Sequence, residues 1–175
     1  MRFEFMLVPA ALLTAGAAHA DNFLSVEEAQ KLMFPGATFT PADLTLLPGQ
    51  VEELIKVTQT TVFHSKVKAW RVSGGGWFFV DQVIGRDDRV TYALGIDEHG
   101  AVKDVEVLVC VPGYDKVREP RWLDQFRGKR YGDPGDLIGQ VSIISGTTLT
   151  SSHITEGVKR LLATYALFMA PGASG

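Results

Sequence analysis

A series of β-rich runs cut by short turns constrains this chain more than any other feature. The runs span residues 60–63, 67–72, 77–84, 90–97 and 101–110, and Gly74-Gly75-Gly76, Gly85-Arg86-Asp87-Asp88 and Glu98-His99-Gly100 separate the last four. Connections this short join antiparallel neighbours, because a parallel pair needs a crossover of a dozen residues or more. The region therefore reads as an antiparallel meander. Such a sheet must bury a face, and amphipathic helices at the two ends of the chain are the available cover. The expected class is α+β: an antiparallel, partly curled β-sheet covered by N-terminal short helices and a C-terminal amphipathic helix.

Ser25-Val26-Glu27-Glu28 has the spacing of a capping box and predicts a helix over 26–34, with Ala29, Leu32 and Met33 on one side and a stop at Pro35-Gly36. Residues 38–46 alternate loosely around Pro41 and read as an edge strand. After Pro48-Gly49, the residues Val51, Leu54, Ile55 and Val57 predict a second short helix. Near the other end Ile154, Val158, Leu161, Leu162, Tyr165 and Phe168/Met169 recur at three-to-four spacing, with Glu156, Lys159 and Arg160 off that face.

Before this helix a β-rich run from Val141 leads into Ser145-Gly146-Thr147-Thr148-Leu149-Thr150-Ser151-Ser152. Ser151 or Ser152 is the expected N-cap, since a short hydroxyl accepts a bond from an orphan N–H of the first turn. A helix N-terminus favours an anion by roughly 0.3–1 kcal/mol, and Gly146 lets backbone approach a ligand closely. Phosphate is the expected guest, although hydroxyl and glycine clusters also form ordinary loop-to-helix junctions.

The run Ser-Gly-Thr-Thr-Leu-Thr-Ser resembles the flavin-attachment motif of the FMN-binding domain family, which includes the flavoprotein subunits of sodium-pumping quinone reductases and of the Rnf electron-transport complex. In that family a flavin transferase joins FMN through its phosphate to the last threonine of Asp-x-x-(Ser/Thr)-Gly-Ala-Thr. The resemblance puts Thr148 in the acceptor place, Gly146 at the glycine and Ser145 at the Ser/Thr, while Ser142 stands where the family has Asp and Thr147 where it has Ala. It extends over roughly residues 77–165. The run Thr91 to Gly100, followed by Val102 to Leu108, is similar to the paired strands before the flavin loop. Pro112-Gly113 stands where many members have a Thr-Pro-Gly loop, and Arg121 to Lys129 matches a Trp-x-x-Gln-Phe-x-Gly-Lys segment.

The cofactor implied is FMN, and the cofactor-binding places implied are Ser145, Gly146, Thr147, Thr148, Leu149, Thr150 and Ser151, with Gly113, Tyr114 and Trp122. Trp122 also reads as a core anchor with Phe126, four residues on. Lys129 and Arg130 could neutralise a phosphate or lie solvated in their Asp/Gly-rich loop, and His153 could reach the cofactor or face solvent.

Met1 to Ala20 has a basic Arg2, an apolar centre and Ala18-His19-Ala20 as an A-x-A cleavage site, which reads as a Sec-type signal peptide over 1–20. A single FMN-binding domain is expected over 21–170 and a flexible tail over 171–175. Export to the periplasm follows from the signal, with no transmembrane span in the mature chain. A net charge of −3 without a basic block argues against nucleic acid as a partner. Cys110 is the only cysteine, so no internal disulfide can form, and it reads as a small buried hydrophobe. The histidines show no metal-ligand spacing, and no triad or carboxylate pair announces hydrolysis.

The reading is thus an exported electron carrier rather than a stand-alone enzyme. A flavin transferase would mature it, and periplasmic or membrane redox proteins would be its partners. The alternatives are a module binding FMN or another anion without a covalent bond, and an apo accessory subunit that docks a redox partner.

Overall fold

The structure, a computed structural model, describes residues 21–86 and 88–172. The expected signal peptide lies outside the described residues, as do Ala173, Ser174 and Gly175 of the expected tail. The strands are β1 (Asp21–Asn22), β2 (Phe39–Pro41), β3 (Leu44–Thr45), β4 (Lys66–Val72), β5 (Trp77–Ile84), β6 (Arg89–Ile96) and β7 (Val102–Cys110). They form one open antiparallel sheet in the order β1-β7-β6-β5-β4-β2, with β3 also paired to β4. The helices are α1 (Val26–Met33), α2 (Pro48–Thr58), α3 (Pro120–Leu123), α4 (Leu137–Gln140) and α5 (Thr148–Thr164), which runs on into a π-helical turn at Tyr165–Met169. This is an α+β fold.

The meander forms where the turn residues require it, and β4 to β7 pair in chain order. Alternation along β5 sends Trp77, Phe79 and Val83 to one face and Phe78 to the other. The first face is the larger, and α5 covers it with Ile154, Val158, Leu161 and Leu162, all buried. The second is covered by α1 through Ala29, Met33 and Phe34. The helices at the two ends of the chain thus cover opposite faces, so both sides of the sheet are buried. Gly95 on β6 makes room for α1: a Cβ there would lie 3.0 Å from the Phe34 ring.

The capping box of α1 forms as the spacing predicts, with Glu28 N–H donating to Ser25 Oγ at 3.2 Å and Ser25 N–H donating to Glu28 Oε2 at 2.7 Å. The expected edge strand over 38–46 is broken into β2 and β3.

Residues 60–63 do not form a strand. Their backbone is used by side chains instead, since Thr60 N–H donates to Thr58 Oγ1 and the Thr61 carbonyl accepts from Arg160 Nη1 at 3.0 Å. The run from Val141 is not a strand either, for a similar reason given below. Arg160, expected off the apolar face of the last helix, is buried, because Asp81 on β5 lies beneath it as a counter-charge at 2.6 Å. None of the described helices is long and apolar enough to cross a membrane.

Candidate functional site

Helix α5 begins at Thr148, with Thr147 at the N-cap. The expected caps Ser151 and Ser152 therefore lie inside the helix. Ser151 has other work: its hydroxyl donates to the Thr148 carbonyl at 3.0 Å and accepts from Ile144 N–H at 3.2 Å, tying the incoming loop to the first turn.

Three further contacts hold that loop in place. Trp122 Nε1 donates to the Ser142 carbonyl at 2.7 Å, and Ser142 N–H donates to Gln125 Oε1 at 3.0 Å. The Trp-x-x-Gln spacing thus grips both backbone groups of the residue that opens the loop. This occupies the donors and acceptors a strand would need. Further along, Lys116 Nζ, on the 3₁₀ turn Asp115–Arg118, donates to the Ser145 carbonyl at 3.4 Å.

The β5–β6 hairpin closes against the same helix turn. His153 Nδ1 meets the Ile84 carbonyl at 2.5 Å, so Nδ1 carries the ring proton in this contact. Gly85 is needed here, because a Cβ would stand 2.9 Å from the Asp88 carbonyl oxygen and 3.4 Å from Thr150 Oγ1.

Between these pieces lies an open pocket of about 290 Å³, walled by Gly146 to Thr150 on one side and by Arg86 and Tyr114 on the other. Its size is at the small end of sites for organic ligands, which run from about 300 to 1,000 Å³. Thr148 is exposed at its edge, whereas Thr147 and Thr150 are 4% and 1% exposed. The N–H groups of Thr148, Leu149 and Thr150 have no acceptor within the helix, as in every first turn. Thr147 does not cap them with its side chain, and its Oγ1 is buried without a hydrogen-bond partner. Leaving such a hydroxyl unsatisfied costs about 1–3 kcal/mol.

The structure brings most of the sequence-predicted residues together. Gly146, Thr147, Thr148, Leu149, Thr150 and Tyr114 wall the pocket. Ser145 precedes it with its carbonyl against Lys116, and Ser151 lies beneath it. Gly113 sits in the turn before Tyr114, where its φ of +90° favours glycine, but it does not wall the pocket. Trp122 is apart from the pocket, buried edge-on against Phe126 at 5.2 Å. Its effect on the site runs through Ser142.

Arg130 walls a different groove beside α5, and Lys129 Nζ is engaged by Gln140 Oε1. Burial pushes the Cys110 thiol up from its ordinary value, so it stays a protonated core side chain. Sequence reasoning missed Arg86 and Lys116. Neither carries a local signal: one lies in a hairpin turn and the other in a short 3₁₀ turn, and only the fold brings them to the loop.

A family model for the FMN-binding domain matches residues 85–163. No curated protein matches the chain. The matched stretch runs from the hairpin glycine to the buried Ala163 near the end of α5 and contains every residue that walls the pocket. The cofactor indicated is FMN. The pocket suits the phosphate end of such a group, with first-turn N–H donors in its wall, an unsatisfied hydroxyl buried behind that wall and the cations Arg86 and Lys116 at its border.

Proposed function

We propose, from the FMN-binding domain over residues 85–163, that this protein is an exported electron carrier whose FMN is joined through its phosphate to Thr148. The observation that carries the linkage is a difference in exposure within one loop. Thr148 presents its hydroxyl at the pocket edge, while Thr147 and Thr150 on either side are buried. A transferase needs to reach the acceptor oxygen, and Thr148 offers the accessible one.

When bound, the isoalloxazine takes up and releases one or two electrons. The chain's own residues hold and shelter it. The first-turn N–H groups of α5 receive the phosphate oxygens, Gly146 keeps the backbone close to them, and the Tyr114 ring closes the far wall. Trp122 and Gln125 fix the start of the loop through Ser142, so the acceptor is held in place before any flavin arrives.

Export rests on the Met1 to Ala20 pattern and gives the covalent bond a purpose, since a dissociated flavin would be lost outside the cytoplasm. The domain we assign to 21–170 then sits in the periplasm and exchanges electrons with periplasmic or membrane redox proteins. A non-covalent FMN site is the second reading, favoured by the exposed Ser142 hydroxyl at the place where the family motif has a carboxylate.

The test is to co-express the full chain with a flavin transferase, denature it, and ask whether yellow colour stays with the polypeptide. Colour that stays and maps to the Thr148 peptide, and is lost in Thr148→Ala, is the expected result. Flavin released on denaturation supports the second reading, and flavin mapped to Thr147 or Thr150 refutes the acceptor assignment.

A further inference from the structure

Among the described residues, Thr147 Oγ1 is the one buried side-chain oxygen or nitrogen with no hydrogen-bond partner. Its position makes this informative. Thr147 is the N-cap of α5, where a threonine hydroxyl ordinarily accepts from an N–H of the first turn. Here it does not, so an unpaired hydroxyl lies buried behind the pocket wall to which Thr147 and the first-turn N–H groups of α5 belong. An alanine would cap no worse and would remove an unsatisfied polar atom from the interior.

A second observation concerns the residue whose charge meets the loop just before Thr147. Lys116 Nζ stands 3.4 Å from the Ser145 carbonyl and 3.8 Å from where a Cβ on Gly146 would be. A positive charge is thus held over the Ser145–Gly146 peptide, one residue before Thr147. That carbonyl is a weak partner at such a distance.

We propose that Thr147 and Lys116 are the positioning pair for the cofactor phosphate: on loading, the Thr147 side chain turns about χ1 out of its buried rotamer so that its hydroxyl donates to one phosphate oxygen, and the Lys116 ammonium neutralises the charge. This rests on the reading that the phosphate is joined to Thr148. The phosphate then supplies what the empty-handed hydroxyl lacks, and the residue that departs from the family motif at this place acquires a role of its own. Flavin loading stabilises the fold more than the covalent bond alone explains, because binding to the native state adds to its stability.

The experiment compares the thermal midpoints of loaded and unloaded full-length protein for the parent, Thr147→Val, Thr147→Ser and Lys116→Met, with the ³¹P resonance of each loaded form. In the unloaded state Thr147→Val should melt at or above the parent, since it keeps the shape and removes the unpaired hydroxyl. On loading, Thr147→Val should lose most of the parent's rise in midpoint and shift the ³¹P resonance, while Thr147→Ser keeps both. Lys116→Met, at an exposed turn, should lose part of the rise and the part of it that salt screens.

A Thr147→Val protein that gains the parent's full rise with an unmoved ³¹P resonance overturns the proposal. So does an unloaded Thr147→Val that is less stable than the parent, which would show the hydroxyl is already used. A parent polypeptide that carries no flavin at Thr148 sinks the linkage reading and this inference together. Flavin at Thr148 with unchanged variants sinks this inference alone.

Discussion

Arg160 Nη2 on α5 lies 2.6 Å from Asp81 Oδ2 on β5, and both side chains are buried. The same carboxylate oxygen accepts from the Tyr92 hydroxyl at 3.0 Å, and Arg160 Nη1 donates to the Thr61 carbonyl. This network pins the helix that begins at the Ser145–Thr148 loop to the centre of the sheet. Breaking a buried pair from one side leaves a charge without compensation, which costs about 3–5 kcal/mol. Asp81→Asn should therefore lower the unfolding free energy by about that amount. Urea unfolding would measure it, and a loss under about 1 kcal/mol would show that solvent reaches Arg160.

Tyr92 reaches Asp81 by passing under α5 at Gly157. A Cβ at Gly157 would overlap the Tyr92 hydroxyl and lie 3.1 Å from Val83 Cγ1. Gly157→Ala should destabilise by about 1–3 kcal/mol despite alanine's better helix propensity. Adding Tyr92→Phe should recover part of that loss, because it removes the overlapped atom. Additive losses in the double variant would place the strain elsewhere.

Trp122→Phe leaves a smaller aromatic ring against Phe126 and deletes the Nε1–H that holds the Ser142 carbonyl. The expected stability loss is about 1–2 kcal/mol. Flavin loading should fall by a larger factor, because the freed residue opens the acceptor loop. Loading equal to the parent, measured as flavin absorbance per polypeptide, would show that Gln125 alone holds the loop.

Gly146 has a φ of +90°, yet a Cβ there would find only Lys116 Nζ at 3.8 Å. Space is available and backbone conformation is the constraint. Gly146→Val should cost about 1–3 kcal/mol through that strain. Relaxing it would turn the first-turn N–H groups away from the phosphate, so loading should fall further than stability. Melts and absorbance on one preparation separate the effects, and full loading would remove the phosphate from this loop.

Much of the fold was legible in the sequence because its signals are local. The strand boundaries at 77–84, and those at 101–110 to within one residue, follow from runs of apolar and β-branched residues ended by glycine turns, and α1 from its capping box. The pattern of α5 follows from a repeat that any helix imposes on side chains. The hydroxyl loop and its glycine were visible as a phosphate-compatible helix start, and their motif carried the resemblance to a flavin-binding family.

What the tertiary structure alone decided is where polar groups find partners. Arg160 looked like a surface residue until Asp81, 79 positions away, was placed beneath it. The run from Val141 had strand propensity, but Trp122 and Gln125 took its backbone groups first. Ser151 and Ser152 were reasonable caps, yet the loop satisfied Ser151 from Ile144 and let the helix start at Thr148. Lys116 reached the loop across 29 residues with no sequence mark. The physical reason is common to all of these. Apolar periodicity is set by the geometry of one element, whereas a hydrogen bond or ion pair is directional and short-ranged, and chain positions far apart must first be brought within about 3 Å.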